Sequence, residues 1–196
     1  MMATTHALMG VALVALVFPE VGAAPTAGVL LAAFVGGIVP DLDMGAAHRK
    51  TLHFPVCLPL AAAFVGGGLL ASGATGSLAL GLFAFLLSAA LHSAIDVFGG
   101  GVEPEPWKRT SNKAVYNHVL GRWHRPKRWV RYAGAPEDFL LAAVCGTVAI
   151  RAAATTPEID RLLLGTLAFS AAFTLVRKRI PDLLSYANAS LSYSRS

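Results

Sequence analysis

Apolar and polar positions alternate along this chain in long blocks. Six apolar runs cover residues 6–18, 26–39, 55–74, 76–98, 138–154 and 161–176. Because a helix needs roughly 20 mainly apolar residues to span a bilayer, the third and fourth runs predict full membrane spans. The pattern as a whole predicts an all-α fold, a polytopic membrane helical bundle of about six helices in three hairpins.

The first two runs are shorter, and we expect thin or tilted spans there, or a hairpin that enters the bilayer only partly. The second run should end at Pro40, because the residue before a proline is pushed out of the helical conformation. A turn rich in Gly, Ser and Thr at 72–76 joins the third and fourth runs as an antiparallel pair. Residues 1–24 are similar to a secretory signal, but no Lys or Arg precedes Arg49, so we expect a retained helix.

Composition supports one membrane-embedded domain. Of the 196 residues, 55% are hydrophobic and 14% are charged, well under the roughly 25% charged that is typical of a soluble domain. Cys57 and Cys145 lie in apolar runs and cannot build a disulfide framework. We expect a single domain at 1–184, with a metal-site half at 1–107, a basic interfacial loop at 99–135, a C-terminal helical hairpin at 138–176, and a flexible tail at 185–196.

Positive charge is concentrated on one predicted membrane face. Three hairpins place both chain ends and the 40–54 and 99–137 loops on one side, which leaves only Arg151 and Arg161 for the other. By the positive-inside rule that face is cytoplasmic, so we expect a multi-pass protein of the inner or plasma membrane with both termini in the cytoplasm. Tryptophans among the basic residues of 99–135 predict an anchor at the lipid headgroups. Membrane lipids are therefore the expected partners, and no nucleic acid is expected.

Side chains that can bind a metal ion gather at this same predicted face. His92 and Asp96 are four residues apart and share one helix face. An ionisable pair inside an apolar run is costly in a bilayer, which favours a functional role. His118 and His124 are expected to be ordinary interfacial side chains. The candidate metal ligands are His6, Asp41, Asp43, His48, His53, His92 and Asp96.

The chemistry of this set points to a divalent cation. Histidine nitrogens with carboxylate oxygens suit Zn²⁺ first, with Mn²⁺ or Fe²⁺ as alternatives. A catalytic ion keeps one coordination position open for water, so seven candidates exceed what one ion uses. The set predicts either two ions, or one ion with the remaining residues as orienting groups or general base. Asp41 and Asp43, expected in an extended segment after Pro40, are the candidates for the base, and Arg49 for stabilising negative charge.

These residues, in this order between apolar runs, resemble the YdjM-like family, described as membrane-bound, metal-dependent hydrolases of the inner membrane. The resemblance spans roughly the first half of the chain and reaches Trp107. It implies a metal-dependent hydrolase. The matching residues are His6, Pro40-Asp41-Leu42-Asp43, His48-Arg49 with Thr51 and His53, and His92 with Asp96 and the glycines that follow.

A weaker similarity is to the helical zinc-dependent phospholipase C and P1 nuclease group. That group uses an N-terminal ligand, an upstream Asp and His, and a His-x-x-x-Asp such as His92 to Asp96. Its later His-x-x-x-Glu is missing here, because Arg122 and Arg128 follow His118 and His124 at that spacing. The similarity implies a phosphoester substrate without a full three-metal site.

The sequence therefore predicts a membrane-bound hydrolase in which metal-activated water attacks an ester or phosphoester, with lipids among the candidate substrates. Arg49 and Lys50 are candidates for holding a phosphate. A divalent-cation transport protein is one alternative, although transporters place their ligands near the bilayer midplane rather than at helix ends. A non-catalytic, membrane-anchored binding module that uses the 99–135 loop is the other.

Overall fold

The computed structural model describes residues 1–20, 25–153 and 155–182, and within these residues the fold is all-α, as predicted. The tail predicted at 185–196 lies outside the described residues. Six α-helices and one pair of very short strands follow in chain order: α1 (Ala3–Glu20), α2 (Ala27–Ile38), α3 (Cys57–Ser72), α4 (Ser77–Ile95), β1 (Tyr116–Asn117), β2 (Arg122–Trp123), α5 (Pro136–Ala152) and α6 (Pro157–Val176).

Among the described residues, three helical stretches are long and apolar enough to cross a membrane. They are Ala27–Gly45, Ser77–Phe98 and Pro157–Asp182. Ala3–Pro19 and Cys57–Ser72 are also apolar helices, but they are shorter. These three stretches agree, in length and composition, with the predicted membrane-spanning bundle. Six complete spans, and the side of the membrane on which each helix end lies, stay predictions.

The helices alternate in direction, so that six of their ends meet at one end of the bundle. Thr5 near the start of α1 donates to Asp138 near the start of α5, at 2.7 Å. His6 lies 3.1 Å from Asp96, which follows α4. Arg177, directly after α6, donates to the Pro104 carbonyl at 3.1 Å. We call this end, with the 39–56 and 96–135 segments that cover it, the site end.

The core is built around α1, which packs against α2, α4 and α5. Its large side chains include Phe18 and Leu8 of α1. α1 and α2 approach so closely that a Cβ added to Gly37 would lie 2.6 Å from Cα of Ala7. Small residues allow this approach, and a bundle in lipid depends on such packing because lipid supplies no hydrophobic drive for helix association.

The proline after α2 changes the helix type rather than ending the helix outright. Pro40 has no N–H to donate, which favours a break in the α-helical pattern. Val39–Gly45 continues as a 3₁₀ helix, so the extended segment expected at Asp41 and Asp43 is wrong. A 3₁₀ helix has 3.0 residues per turn, so side chains two residues apart point about 120° apart. The two carboxylates therefore leave this turn in different directions.

The 99–135 loop folds back over the site end. Lys127 donates its backbone N–H to the Val97 carbonyl at 2.7 Å, and Val130 donates to the Phe98 carbonyl at 3.1 Å. At the strand pair, Tyr116 donates to the Arg49 carbonyl at 2.9 Å. These hydrogen bonds make the loop a wall of the site end rather than a loose connection.

Candidate metal centre

Four buried side chains with metal-binding atoms meet at the site end. Asp41 comes from the 3₁₀ turn, His53 from the loop before α3, His92 from the last turn of α4, and Asp96 from the position after that helix. One donor atom of each lies within 4.8 Å of the others. We call Asp41, His53, His92 and Asp96 the four-donor group. Buried charges need partners, and this group could hold a metal ion.

The spacing of the four donor atoms fits a small cation. Nε2 of His53 lies 3.6 Å from Oδ1 of Asp41 and 3.2 Å from Oδ2 of Asp96. Nε2 of His92 lies 3.4 Å from the same Asp41 oxygen and 3.7 Å from the same Asp96 oxygen. The two Nε2 atoms are 3.2 Å apart. Tetrahedral zinc with bonds of roughly 2.0–2.1 Å holds its ligands about 3.3 Å apart, so an ion fits between these atoms.

Both histidines of the group are held through their other ring nitrogen. Nδ1 of His53 donates to Oδ2 of Asp43 at 3.1 Å. Nδ1 of His92 donates to the backbone carbonyl of Gly37 at 2.7 Å. Metal-binding histidines in proteins are nearly always fixed in this way, because the second hydrogen bond sets the ring's tautomer and orientation. Both Nε2 atoms therefore face the other members of the group, where each can offer its lone pair to a metal ion.

Asp43 does not join the four-donor group but organises the loop that carries His53. Its carboxylate accepts hydrogen bonds from the backbone N–H groups of Arg49, Lys50 and Leu52 at 3.2–3.3 Å. It also accepts from Nδ1 of His48 at 2.9 Å. Asp41 and Asp43 thus have different positions, as their places on the 3₁₀ turn require.

The Asp96 carboxylate is shared among several groups besides the donors. Nε2 of His6 lies 3.1 Å from Oδ1 of Asp96, and the Met1 amino nitrogen lies 3.0 Å from that oxygen. Nε of Arg49 lies 3.3 Å from Oδ2. The His6 ring stacks on the His92 ring, with centroids 3.7 Å apart. His6 therefore supports the group from its side and is not one of its four members.

Arg49 occupies a constrained position at the centre of the site end. Its backbone has φ +60°, a left-handed conformation that is uncommon for a residue with a side chain. Nη1 donates to the Gly100 carbonyl at 2.7 Å, which ties the loop after α4 to the 39–56 segment. The neighbouring Lys50 instead places Nζ 4.4 Å from the centre of the Tyr116 ring. Of the pair expected to hold a phosphate, Arg49 is the one that faces the four-donor group.

Three carboxylates surround the ring of His53. Burial disfavours its charged form, but the hydrogen bond to Asp96 and the charges of Asp96, Asp41 and Asp43 outweigh burial and raise the pKa of His53 above its usual value. A proton on Nε2 of His53 and a metal ion would compete for the same nitrogen. Binding of a metal ion must therefore release this proton.

A cavity of about 530 Å³ lies beside the group at the site end. This volume is within the roughly 300–1,000 Å³ range of small-molecule sites. Asp41 lines the cavity, together with His48 and Arg49, so the four-donor group is reached from its Asp41 side. The side chain of His48 is 31% exposed, and its ring centre lies 5.8 Å from that of His53.

The structure thus brings all seven predicted ligands to one place but gives them different contacts. Four form the donor group, while His6, Asp43 and His48 contact members of the group or their neighbours. The sequence reasoning missed Asp138, whose buried carboxylate accepts from Thr5 at 2.7 Å and from the Met2 N–H at 2.8 Å. An acid at the start of an apolar run is the signal that could have found it.

Comparison of the chain with protein-family models, with curated proteins and with solved structures gave no match.

Proposed function

We propose that this protein is a membrane-bound, metal-dependent hydrolase that cleaves an ester or phosphoester. The observation that carries the proposal is the convergence of four donor atoms, with both histidines fixed through Nδ1, at the edge of a cavity. A buried ionisable cluster with fixed histidines suits a metal ion, and a cavity at its Asp41 side gives a substrate access. The resemblance to the YdjM-like family supports the same proposal.

The four-donor group suits zinc, manganese or iron, and a single ion can be bound by all four of its members. Two histidine nitrogens and two carboxylate oxygens leave room for water when the ion takes five or six ligands. When bound, such an ion lowers the pKa of a coordinated water molecule toward neutrality. Asp41, His53, His92 and Asp96 would hold the ion. The cavity would deliver both water and substrate to the side of Asp41.

His48 is the residue that we assign to proton transfer. Asp43, which the sequence suggested as a base, is already engaged by His53 and by backbone N–H groups, whereas His48 is partly exposed in the cavity. Asp43 orients the His48 ring through Nδ1, an arrangement that leaves Nε2 to take a proton. Water oxygen bonds to the acyl carbon or phosphorus, the bond to the alcohol oxygen breaks, and His48 passes the water proton to that alcohol.

Arg49 has a supporting electrostatic role in this proposal. Its guanidinium lies beside Asp96 and lines the cavity, so it is positioned near charge that develops on a substrate oxygen. Its contacts to Asp96 and to the Gly100 carbonyl fix it before any substrate arrives. A fixed cation of this kind needs no reorganisation during the reaction.

A second cavity, lined by apolar side chains, argues against the transport alternative. It has a volume of about 890 Å³ between α1, α3 and α4, and no ionisable side chain is among its lining residues. A divalent cation that left the four-donor group in that direction would meet an apolar surface. Hydrocarbon-like surroundings are costly for ions, so a continuous ion path is not favoured there.

Elemental analysis of detergent-purified protein tests the metal centre directly. We expect about one zinc, manganese or iron ion per chain in the wild type, and loss of that ion in His92→Ala and in His53→Ala, since each loses one of four ligands. His118→Ala is the matched control, because this histidine bonds the Lys50 carbonyl outside the group. Wild-type protein that binds no more metal than His92→Ala would contradict the proposal.

The hydrolase part needs its own measurement. Metal-loaded protein should cleave a soluble chromogenic ester or phosphodiester, and the rate should fall to background after chelation and return when the metal is restored. Protein that binds metal but cleaves neither class of substrate would favour a binding or transport role. Flux of the same cation into liposomes then separates those two alternatives.

A further inference from the structure

The cavity beside Asp41 has two chemically different ends. Its polar end contains Asp41, His48 and Arg49, next to the four-donor group. Its apolar wall is formed by Phe169, Phe173 and Ile180. Sites for amphiphilic ligands combine these features, since the apolar part needs surface contact and the polar part needs a few placed groups.

The apolar wall runs along a helix that is suited to a membrane. Phe169, Phe173 and Ile180 belong to the stretch Pro157–Asp182, which is long and apolar enough to cross a bilayer. The segment from Phe169 to Ile180 covers about 16 Å along a helix axis at 1.5 Å per residue. Phe169 is also 63% exposed, so its ring belongs both to the cavity and to the outer surface of the bundle. The cavity therefore reaches from the site end toward the depth of lipid chains.

The charges of the lining favour an anionic headgroup. Arg49 and Arg177 contribute two cations, and Asp41 and Glu103 contribute two carboxylates. An ion held by the four-donor group would neutralise Asp41 and Asp96, which leaves Glu103 against the two arginines. Arg177 is fixed by its hydrogen bond to the Pro104 carbonyl and by the Trp107 ring 5.1 Å from its guanidinium carbon. Fixed guanidinium groups are well suited to phosphate oxygens.

From these observations we infer that the substrate is a lipid with an anionic phosphate headgroup, which enters from the bilayer along α6. The headgroup lies between Arg49 and Arg177, and the acyl chains follow Phe173 and Phe169. The inference rests on the proposed function and names its substrate class. A soluble phosphate ester would leave the apolar wall uncovered, and a neutral lipid would bring no anionic group to Arg49 and Arg177.

Native mass spectrometry of the zinc-loaded protein in detergent tests this inference without depending on turnover. The reference probe is dioleoyl phosphatidate. Dioleoylglycerol lacks its phosphate, and glycerol 3-phosphate lacks its acyl chains. We expect phosphatidate to be retained. The two other probes should bind at least about tenfold more weakly, because each loses the contacts of one end of the cavity. Equal retention of phosphatidate and either other probe would overturn the inference.

Two pairs of variants locate the bound lipid. Phe169→Ala and Arg177→Gln should each lower phosphatidate retention about fivefold or more, as expected for loss of an apolar contact or a charge-assisted hydrogen bond. Leu175→Ala and Arg179→Gln are the matched controls, because both residues are exposed near the end of α6 and neither lines the cavity. Lining variants that behave like these controls would place the lipid elsewhere and overturn the inference.

Failure of this inference and failure of the proposed function give different results. If the protein retains phosphatidate but binds no metal, the proposed hydrolase function is contradicted and the lipid site is supported. The opposite result combines metal-dependent cleavage of a soluble phosphoester with equal retention of glycerol 3-phosphate and phosphatidate. It would support the proposed hydrolase activity and overturn the lipid assignment.

Discussion

Asp43 and His53 are joined by a 3.1 Å hydrogen bond from Nδ1 of the histidine to Oδ2 of the carboxylate, on the side of the ring opposite the four-donor group. Nε2 of the same ring lies 3.6 Å from Oδ1 of Asp41. The two acids of the Pro40-Asp41-Leu42-Asp43 motif therefore contact the two nitrogens of one histidine. One acid is placed to bind an ion, and the other is placed to hold the histidine that binds it.

The first prediction concerns the different roles of Asp41 and Asp43. Asp43→Asn should weaken zinc binding about 10- to 100-fold, because the loss of an orienting carboxylate typically costs that much affinity. Asp41→Asn should weaken it more, since it replaces a donor atom itself. Competition with a chelator of known affinity measures both. Equal zinc affinity in Asp43→Asn and the wild type would show that the carboxylate does not position His53.

The second prediction concerns pH. The surrounding carboxylates raise the pKa of His53, so its proton competes with a metal ion to a higher pH than at an ordinary histidine, whose pKa is about 6.5. Metal affinity should therefore increase as the pH rises through the pKa of His53, by up to about tenfold per pH unit below that value. Zinc titrations in buffers from mildly acidic to mildly alkaline pH measure the slope. An affinity that does not change over this range would contradict the assignment of His53 as a ligand.

The helices and the gathering of the candidate ligands were predictable from the sequence. Alternation of apolar runs placed His6, His53 and His92 at ends of helices that must meet, and the structure brings them together. The i, i+4 spacing of His92 and Asp96 was also informative, because a helix of known pitch fixes that geometry. The distance between His92 and Asp96 is set within one helix, whereas the meeting of His6, His53 and His92 follows from the antiparallel order of the helices.

The roles of the ligands within the site were not predictable in the same way. Asp41 and Asp43 differ because Val39–Gly45 is a 3₁₀ helix rather than an extended segment, and this choice depends on packing around Pro40. The Gly37 carbonyl that holds His92 is a backbone group and leaves no sequence signal. The contribution of α6 to the cavity depends on how the C-terminal hairpin packs, which no local pattern specifies.

The third prediction tests the close contact between α1 and α2. Gly37→Ala should destabilise the protein by about 1–3 kcal/mol, because the new methyl group would overlap Cα of Ala7 and the backbone oxygen of His6. It should also weaken metal binding, since Gly37 holds His92. Gly67→Ala is the matched control, as its added Cβ meets nothing within 4 Å. Thermal unfolding in detergent measures both variants, and an equal midpoint for the two would contradict the packing argument.

The fourth prediction separates proton transfer from metal binding. His48→Gln should keep the metal content of the wild type, because His48 is outside the four-donor group, but lower the rate of hydrolysis about 10²- to 10⁴-fold. His124→Gln is the control, because this histidine contacts Asn117 in the strand pair. Loss of the metal ion from His48→Gln would identify His48 as a ligand, and an unchanged rate would remove it from the reaction.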